Sequence, residues 1–124
     1  MKRAIIAMFI GLVSLNASAL QLLCESPEKS ASGKAMMVYL FNSSSGTMER
    51  FAYIPSKNAY AMFGELDNLV FSDDLYNMVP LRRNITAKSD DVTMLDATWV
   101  NGSPDFKAKI AHENSKIFNC KLKN

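Results

Sequence analysis

The chain has one histidine (His112), one tryptophan (Trp99) and two cysteines in 124 residues. A single histidine cannot build a His-rich zinc site, and two distant cysteines cannot build a four-cysteine one. No Cys-x-x-Cys occurs, so a thioredoxin-like redox motif is excluded. No Gly-x-Ser-x-Gly marks a nucleophile elbow, and neither a P-loop nor a dinucleotide Gly-x-Gly-x-x-Gly is present. An Asp-x-Asp-x-Asp-Gly calcium loop is missing too. Excess charge of either sign is also lacking. The formal net charge is +2, from 14 Lys+Arg and 12 Asp+Glu. Lys2 and Arg3 account for all of it: residues 20–124 hold 14 − 2 = 12 cations against 12 acids. A basic nucleic-acid binder is therefore not expected. Residues 20–124 also lack any apolar run of spanning length, so no membrane association is expected of them.

What is present begins with a targeting segment. Lys2-Arg3 form a positive start, Ala4 to Leu15 is an apolar run broken only by Gly11 and Ser14, and Asn16-Ala17-Ser18-Ala19 ends in a small-x-small pattern. This predicts a secretory signal peptide over residues 1–19, cleaved after Ala19. A run of about 12 apolar residues is too short to serve as a membrane anchor. Gln21-Leu22-Leu23 before Cys24 lack the small residues of a lipoprotein cleavage site. Residues 20–124 then form one domain with a modest core.

Cys24 and Cys120 each stand fifth from an end of that domain. In an oxidising compartment two cysteines of a small domain pair, which predicts a Cys24–Cys120 disulfide.

Short apolar segments separated by turn residues dominate the rest. Strands are predicted over Leu20–Glu25, Ala35–Phe41, Thr47–Ile54, Ala59–Phe63, Leu81–Lys88, Val92–Val100, Phe106–Ile110 and Phe118–Leu122. Turns fall at Asn42–Gly46, Pro55–Asn58, Ser89–Asp91 and Asn101-Gly102. Gly64 is expected to end the fourth strand. Glu65–Asn68 reads as a helical turn, Leu69–Ser72 as a strand and Asp73–Met78 as a short helix, stopped by Pro80. Phe106, Ala108 and Ile110 alternate with Lys107 and Lys109, the pattern of an antiparallel sheet with one wet face. The expected fold class is all-β and mainly antiparallel: a small sandwich or barrel of seven or eight strands, closed by a terminal disulfide.

No catalytic, cofactor or metal site emerges. The acidic pairs Glu65/Asp67, Asp73-Asp74 and Asp90-Asp91 fit turn and cap roles, and His112 sits at a strand end. A small rigid β domain of this kind points to surface recognition rather than enzymology. The residues with interface chemistry are Lys57 and Tyr60 around one turn, and the paired Arg82-Arg83. The alternative is a β-barrel holding a small apolar ligand, with AMMVYLF and the scattered methionines lining its cavity.

The whole mature chain, from LQLLCES to FNCKLKN, resembles the periplasmic immunity proteins of type VI secretion systems, in particular those guarding against a peptidoglycan-degrading, lysozyme-like effector. More distantly its plan is similar to that of the periplasmic lysozyme inhibitors, though it lacks the Ser-Gly-x-x-Tyr loop of one group of them. The resemblance implies an antitoxin that plugs the effector's cleft, acts as a homodimer and needs no cofactor. Its partner would be the cognate cell-wall hydrolase.

Overall fold

The computed structural model describes residues 20–113 and 116–123. The expected signal peptide lies outside the described residues. Nine strands make one antiparallel sheet: β1 (Gln21–Glu25), β2 (Met37–Asn42), β3 (Thr47–Ile54), β4 (Ala59–Leu66), β5 (Val70–Tyr76), β6 (Arg82–Ser89), β7 (Val92–Val100), β8 (Phe106–Ile110) and β9 (Phe118–Leu122). The sheet order is β4-β3-β2-β1-β9-β8-β7-β6-β5. The all-β antiparallel architecture is thus as expected, in the form of a sheet curled into a half-barrel. The only helical piece described is a 3-10 turn over Pro55–Lys57.

The order reveals two meanders, β1 to β4 and β5 to β9, sewn together where the first strand meets the last. Cys24 stands directly opposite Cys120 in that seam, and the two form the predicted disulfide. Both cysteines are fully buried, so the bridge is part of the core rather than a surface staple.

Alternation explains the inner face. Leu22 and Cys24, Tyr39 and Phe41, Phe106, Ala108 and Ile110, and Phe118 and Cys120 all turn into one cluster, with lysine or asparagine between them on β8 and β9 and leucine on β1 and β2. Across four strands Ile85 pairs with Ala97, Ala97 with Ala108, and Ala108 with Phe118. Two alanines between larger residues leave room for the sheet to close over its own face. Register shifts at Arg50/Phe51 and Ala87/Lys88 add local twist. Tyr39 anchors the other half, edge-on to Phe118 at 5.4 Å and stacked on Phe41 at 6.2 Å.

Turn chemistry sets the hairpins. Asn42 Oδ1 accepts from the Ser44 amide at 3.0 Å and the Ser44 hydroxyl at 2.7 Å, starting the β2–β3 turn. Gly46 closes it at φ 66 and accepts from the Leu69 amide at 2.9 Å, which ties the β4–β5 connection down. An added Cβ at Gly46 would stand 3.2 Å from the Leu69 carbonyl oxygen. Asn58 and Asp90 take the left-handed conformation in the β3–β4 and β6–β7 turns.

Two expectations are corrected. Asp73–Met78 is not a helix: residues 73–76 complete β5, which pairs with β6 over its whole length. Asp73 is read locally as a cap residue, but its carboxylate is held by Arg83 across the strand pair, and this tertiary pairing overrides the local signal. Glu65–Asn68 is no helical turn either. The strand runs through Gly64 to Leu66, because Gly64 lies opposite Arg50 with ladder pairing on both sides. The expected strand at Leu69–Ser72 is the first part of β5, and the sheet has nine strands where seven or eight were expected. Among the described residues no helix is long and apolar enough to cross a membrane.

Candidate functional site

The sheet does not gather the four residues singled out in the sequence. Lys57 is exposed in the 3-10 turn, and Tyr60 follows on β4, one edge of the sheet. Arg82 and Arg83 are on β6, and six strands stand between β4 and β6 in the sheet order.

Tyr60 is partly committed. Its hydroxyl donates to the Ala35 carbonyl at 2.9 Å, and its ring lies 5.3 Å from that of Tyr53. Desolvation, then the negative charge of Glu25, raise its hydroxyl above the ordinary tyrosine value. Arg82 and Arg83, adjacent in sequence, are separated by strand alternation. Arg82 is exposed, opposite Tyr76 and Val100. Arg83 points to the inner side, where its Nε donates to Asp73 Oδ1 at 2.9 Å and its Nη2 to Oδ2 at 2.6 Å. That two-pronged pair, with Phe106 5.9 Å from the guanidinium, holds the Arg83 cation above its already high value, the Asp73 hydrogen bonds being the main cause. Asp73 thus neutralises Arg83, and Arg82 is the member of the pair left for a partner.

Around Arg82 the structure exposes Tyr76 (48%) and Met78 (49%), which the sequence reading assigned to a helix, and Val79 (99%) just beyond them. Tyr76 ends β5. Met78 then donates its amide to the Tyr76 carbonyl at 3.0 Å, and the cis Val79-Pro80 bond leads into β6. The Asn101 amide donates to the Leu81 carbonyl at 2.8 Å, pinning the far side of this loop. Tyr76, Met78, Arg82, Asn84 and Thr98 surround a depression of about 320 Å3 on the outer surface. Asn84 is fixed there, its amide nitrogen reaching Asp96, the Ala97 carbonyl and Thr98. An aromatic ring, a methionine and a free guanidinium around a fixed amide is the composition of an interface anchor.

On the inner side of the same end, a groove of about 500 Å3, open to solvent, runs between Leu75, Arg83, Trp99, Phe106 and Leu122. Trp99 is held by its Nε1–H donating to the Ser103 carbonyl at 2.8 Å.

Of the acidic pairs, Asp73 faces Arg83 and Asp74 stands opposite Asn84, while Glu65 and Asp90, which is in a turn, border one cavity. No group of three or more His, Cys, Asp or Glu side chains among the described residues could hold a metal. One buried acid escaped the sequence reading. Glu113, after β8, accepts a hydrogen bond from the Tyr39 hydroxyl 74 positions away in sequence. Burial, then this bond and the Glu113 charge, push the Tyr39 hydroxyl up to about 12, against an opposing pull from the charge and hydrogen bonding of Arg50. His112, just before it, takes a φ of 70 as β8 turns away.

No protein-family model matches the chain, and no curated protein or solved structure matches it either.

Proposed function

We propose that the protein is a periplasmic immunity protein that binds a peptidoglycan-hydrolysing type VI secretion effector and inhibits it by plugging its active-site cleft. The observation that carries this reading is the exposed apolar end of β5 with Arg82 beside it. Tyr76, Met78 and Val79 give a partner large apolar contacts, and Arg82 is a cation with no ion pair among the described residues. A glycosidase cleft is lined by carboxylates, to which a guanidinium binds with two parallel hydrogen bonds. A chain with equal numbers of positive and negative residues in its folded part must recognise such a cleft through a few placed groups. The buried disulfide and the pinned loop keep the surface rigid, which lowers the ordering cost of association. A homodimer belongs to the same reading: β4 is an edge strand with Tyr60, Met62 and Phe63 exposed on it.

The test pairs the protein, expressed from Leu20, with the hydrolase encoded beside its gene. We expect a nanomolar or tighter complex (a Kd of about 10⁻⁹ M or below) that stops clearing of a peptidoglycan suspension. Arg82→Ala and Val79→Asp should each weaken it by about tenfold or more. Absence of both binding and inhibition sinks the reading.

A second reading, binding of a small apolar ligand, is favoured by the groove of about 500 Å3 beside Trp99. Trp99 fluorescence should then respond saturably to apolar probes of that size, and an unresponsive Trp99 eliminates it.

A further inference from the structure

Arg50 of β3 projects onto the core-facing side of the sheet in an unusual setting. Its guanidinium carbon lies 5.7 Å from the Tyr39 ring centre and 4.6 Å from that of Phe63. Its Nε is buried and has no hydrogen-bond partner. The ion pairs among the described residues are Arg83–Asp73 and Lys116–Glu28, so Arg50 has no carboxylate in contact. The strand beside it is shaped for this side chain. Gly64 stands opposite Arg50, and a Cβ there would come within 3.2 Å of the Arg50 Cδ. The β3–β4 register shift falls at the same point. Arg50, Gly64, Met94 and His112 line a cavity of about 390 Å3, with Glu65 and Asp90 exposed on its lining.

We propose that Arg50, stacked between Tyr39 and Phe63 and bordering this cavity, is a binding site for a single carboxylate group. A guanidinium is a planar fork of donors whose geometry matches a carboxylate, and neighbouring aromatic faces favour its charge. Arg50 has no carboxylate partner among the described residues, so an incoming carboxylate at the cavity meets no competing ion pair. Glu65 and Asp90 set the selectivity. They repel a second negative charge, so a monocarboxylate is favoured over a phosphate dianion. The carboxylate has two sources, a small free acid or the side chain of an aspartate or glutamate on a partner protein. The site is independent of whether that partner is a hydrolase.

The experiment is a titration of the 15N-labelled protein at constant ionic strength, following the Arg50 Nε–H and Gly64 amide resonances. The probes are acetate, N-acetyl-aspartate amide and inorganic phosphate. Both carboxylates should give saturable shifts at the two positions, and phosphate a weaker response. Tighter binding of acetate identifies a free acid as the source, and tighter binding of the aspartate derivative a protein side chain. Arg50→Met should abolish the response. Gly64→Ala, which keeps the charge but crowds the Arg50 stem, should weaken it and serves if Arg50→Met does not fold. Linear, non-saturating shifts in the wild type overturn the proposal, as do equal responses to phosphate and acetate or an unchanged response in Gly64→Ala.

Discussion

Replacing both cysteines by alanine removes the covalent link from the seam that joins the two meanders. Cys24 and Cys120 are 96 residues apart in sequence, so the bridge closes a loop that contains almost the whole folded chain. In the chain-entropy model a loop of about 100 residues corresponds to about 4–5 kcal/mol of stabilisation at 25 °C. Domains of this size have about 5–15 kcal/mol in total, so a third or more of the stability is at stake. Beside the bridge, β1 and β9 are paired over Leu22–Glu25 and Asn119–Leu122, Tyr39 packs on Phe118 and bonds Glu113 across the seam, and the β4–β5 connection is the other covalent route between the meanders. Guanidinium denaturation of the wild type and of Cys24→Ala/Cys120→Ala, followed by far-ultraviolet dichroism, measures the difference. We expect a loss of about 4–5 kcal/mol and a fall in Tm of about 20 °C or more. Amide exchange should quicken first in β1 and β9, ahead of β6 and β7. A double variant within about 1 kcal/mol of the wild type, with seam amides still protected, refutes the view that this bridge holds the halves together.

Two further perturbations probe the buried polar contacts. Tyr39→Phe deletes the hydroxyl that donates to buried Glu113 and should cost about 1.5–3 kcal/mol at neutral pH. Because the folded-state value of Tyr39 is raised above 10, its contribution is complete below pH 10 and declines as the pH rises toward about 12. After allowance for screening this amounts to about 1–2 kcal/mol, so denaturation midpoints between pH 9 and 12 should fall more steeply in the wild type than in Tyr39→Phe; parallel slopes contradict it. Asp73→Ala strips the two-pronged partner from Arg83, whose side chain is 30% exposed, and should cost about 1–2 kcal/mol. In a double-mutant cycle with Arg83→Ala most of that cost should appear as coupling, and additive effects refute the pairing as a stabilising contact.

Much of the fold was legible because the pattern was strict. Alternation in Phe106–Ile110 and Phe118–Leu122, the Asn-Gly turn at 101–102 and the cysteines near both ends each carry a local signal that the structure obeys. The segment 73–78 had no such signal. Asp-Asp at its start reads as a helix cap, and Leu75, Tyr76 and Met78 suit either periodicity. Only Arg83, ten residues on, makes Asp73 a strand residue, and a contact between two strands is not written in either one. Likewise nothing near Tyr39 points to Glu113, and nothing near Arg50 announces that Gly64 will make room for it.

Strand alternation decides what each arginine can do. Arg82 and Arg83 form the only paired-arginine site, yet a pleat sends them to opposite faces, and only the inward one meets an acid. Arg50 faces inward too but meets rings instead of an acid, so its charge is held in place without being neutralised. The sequence contains equal numbers of acids and bases after residue 19, and that balance conceals this difference. Arg83 is occupied in holding β5 to β6. Arg82 and Arg50 have no ion pair among the described residues, one on the outer surface beside Tyr76 and Met78, the other bordering the cavity it shares with Gly64, Met94 and His112. In the proposed recognition of an acidic partner those two positions, rather than the overall charge, supply the cations, and replacing either should change binding more than any change at Arg83 that leaves the fold intact.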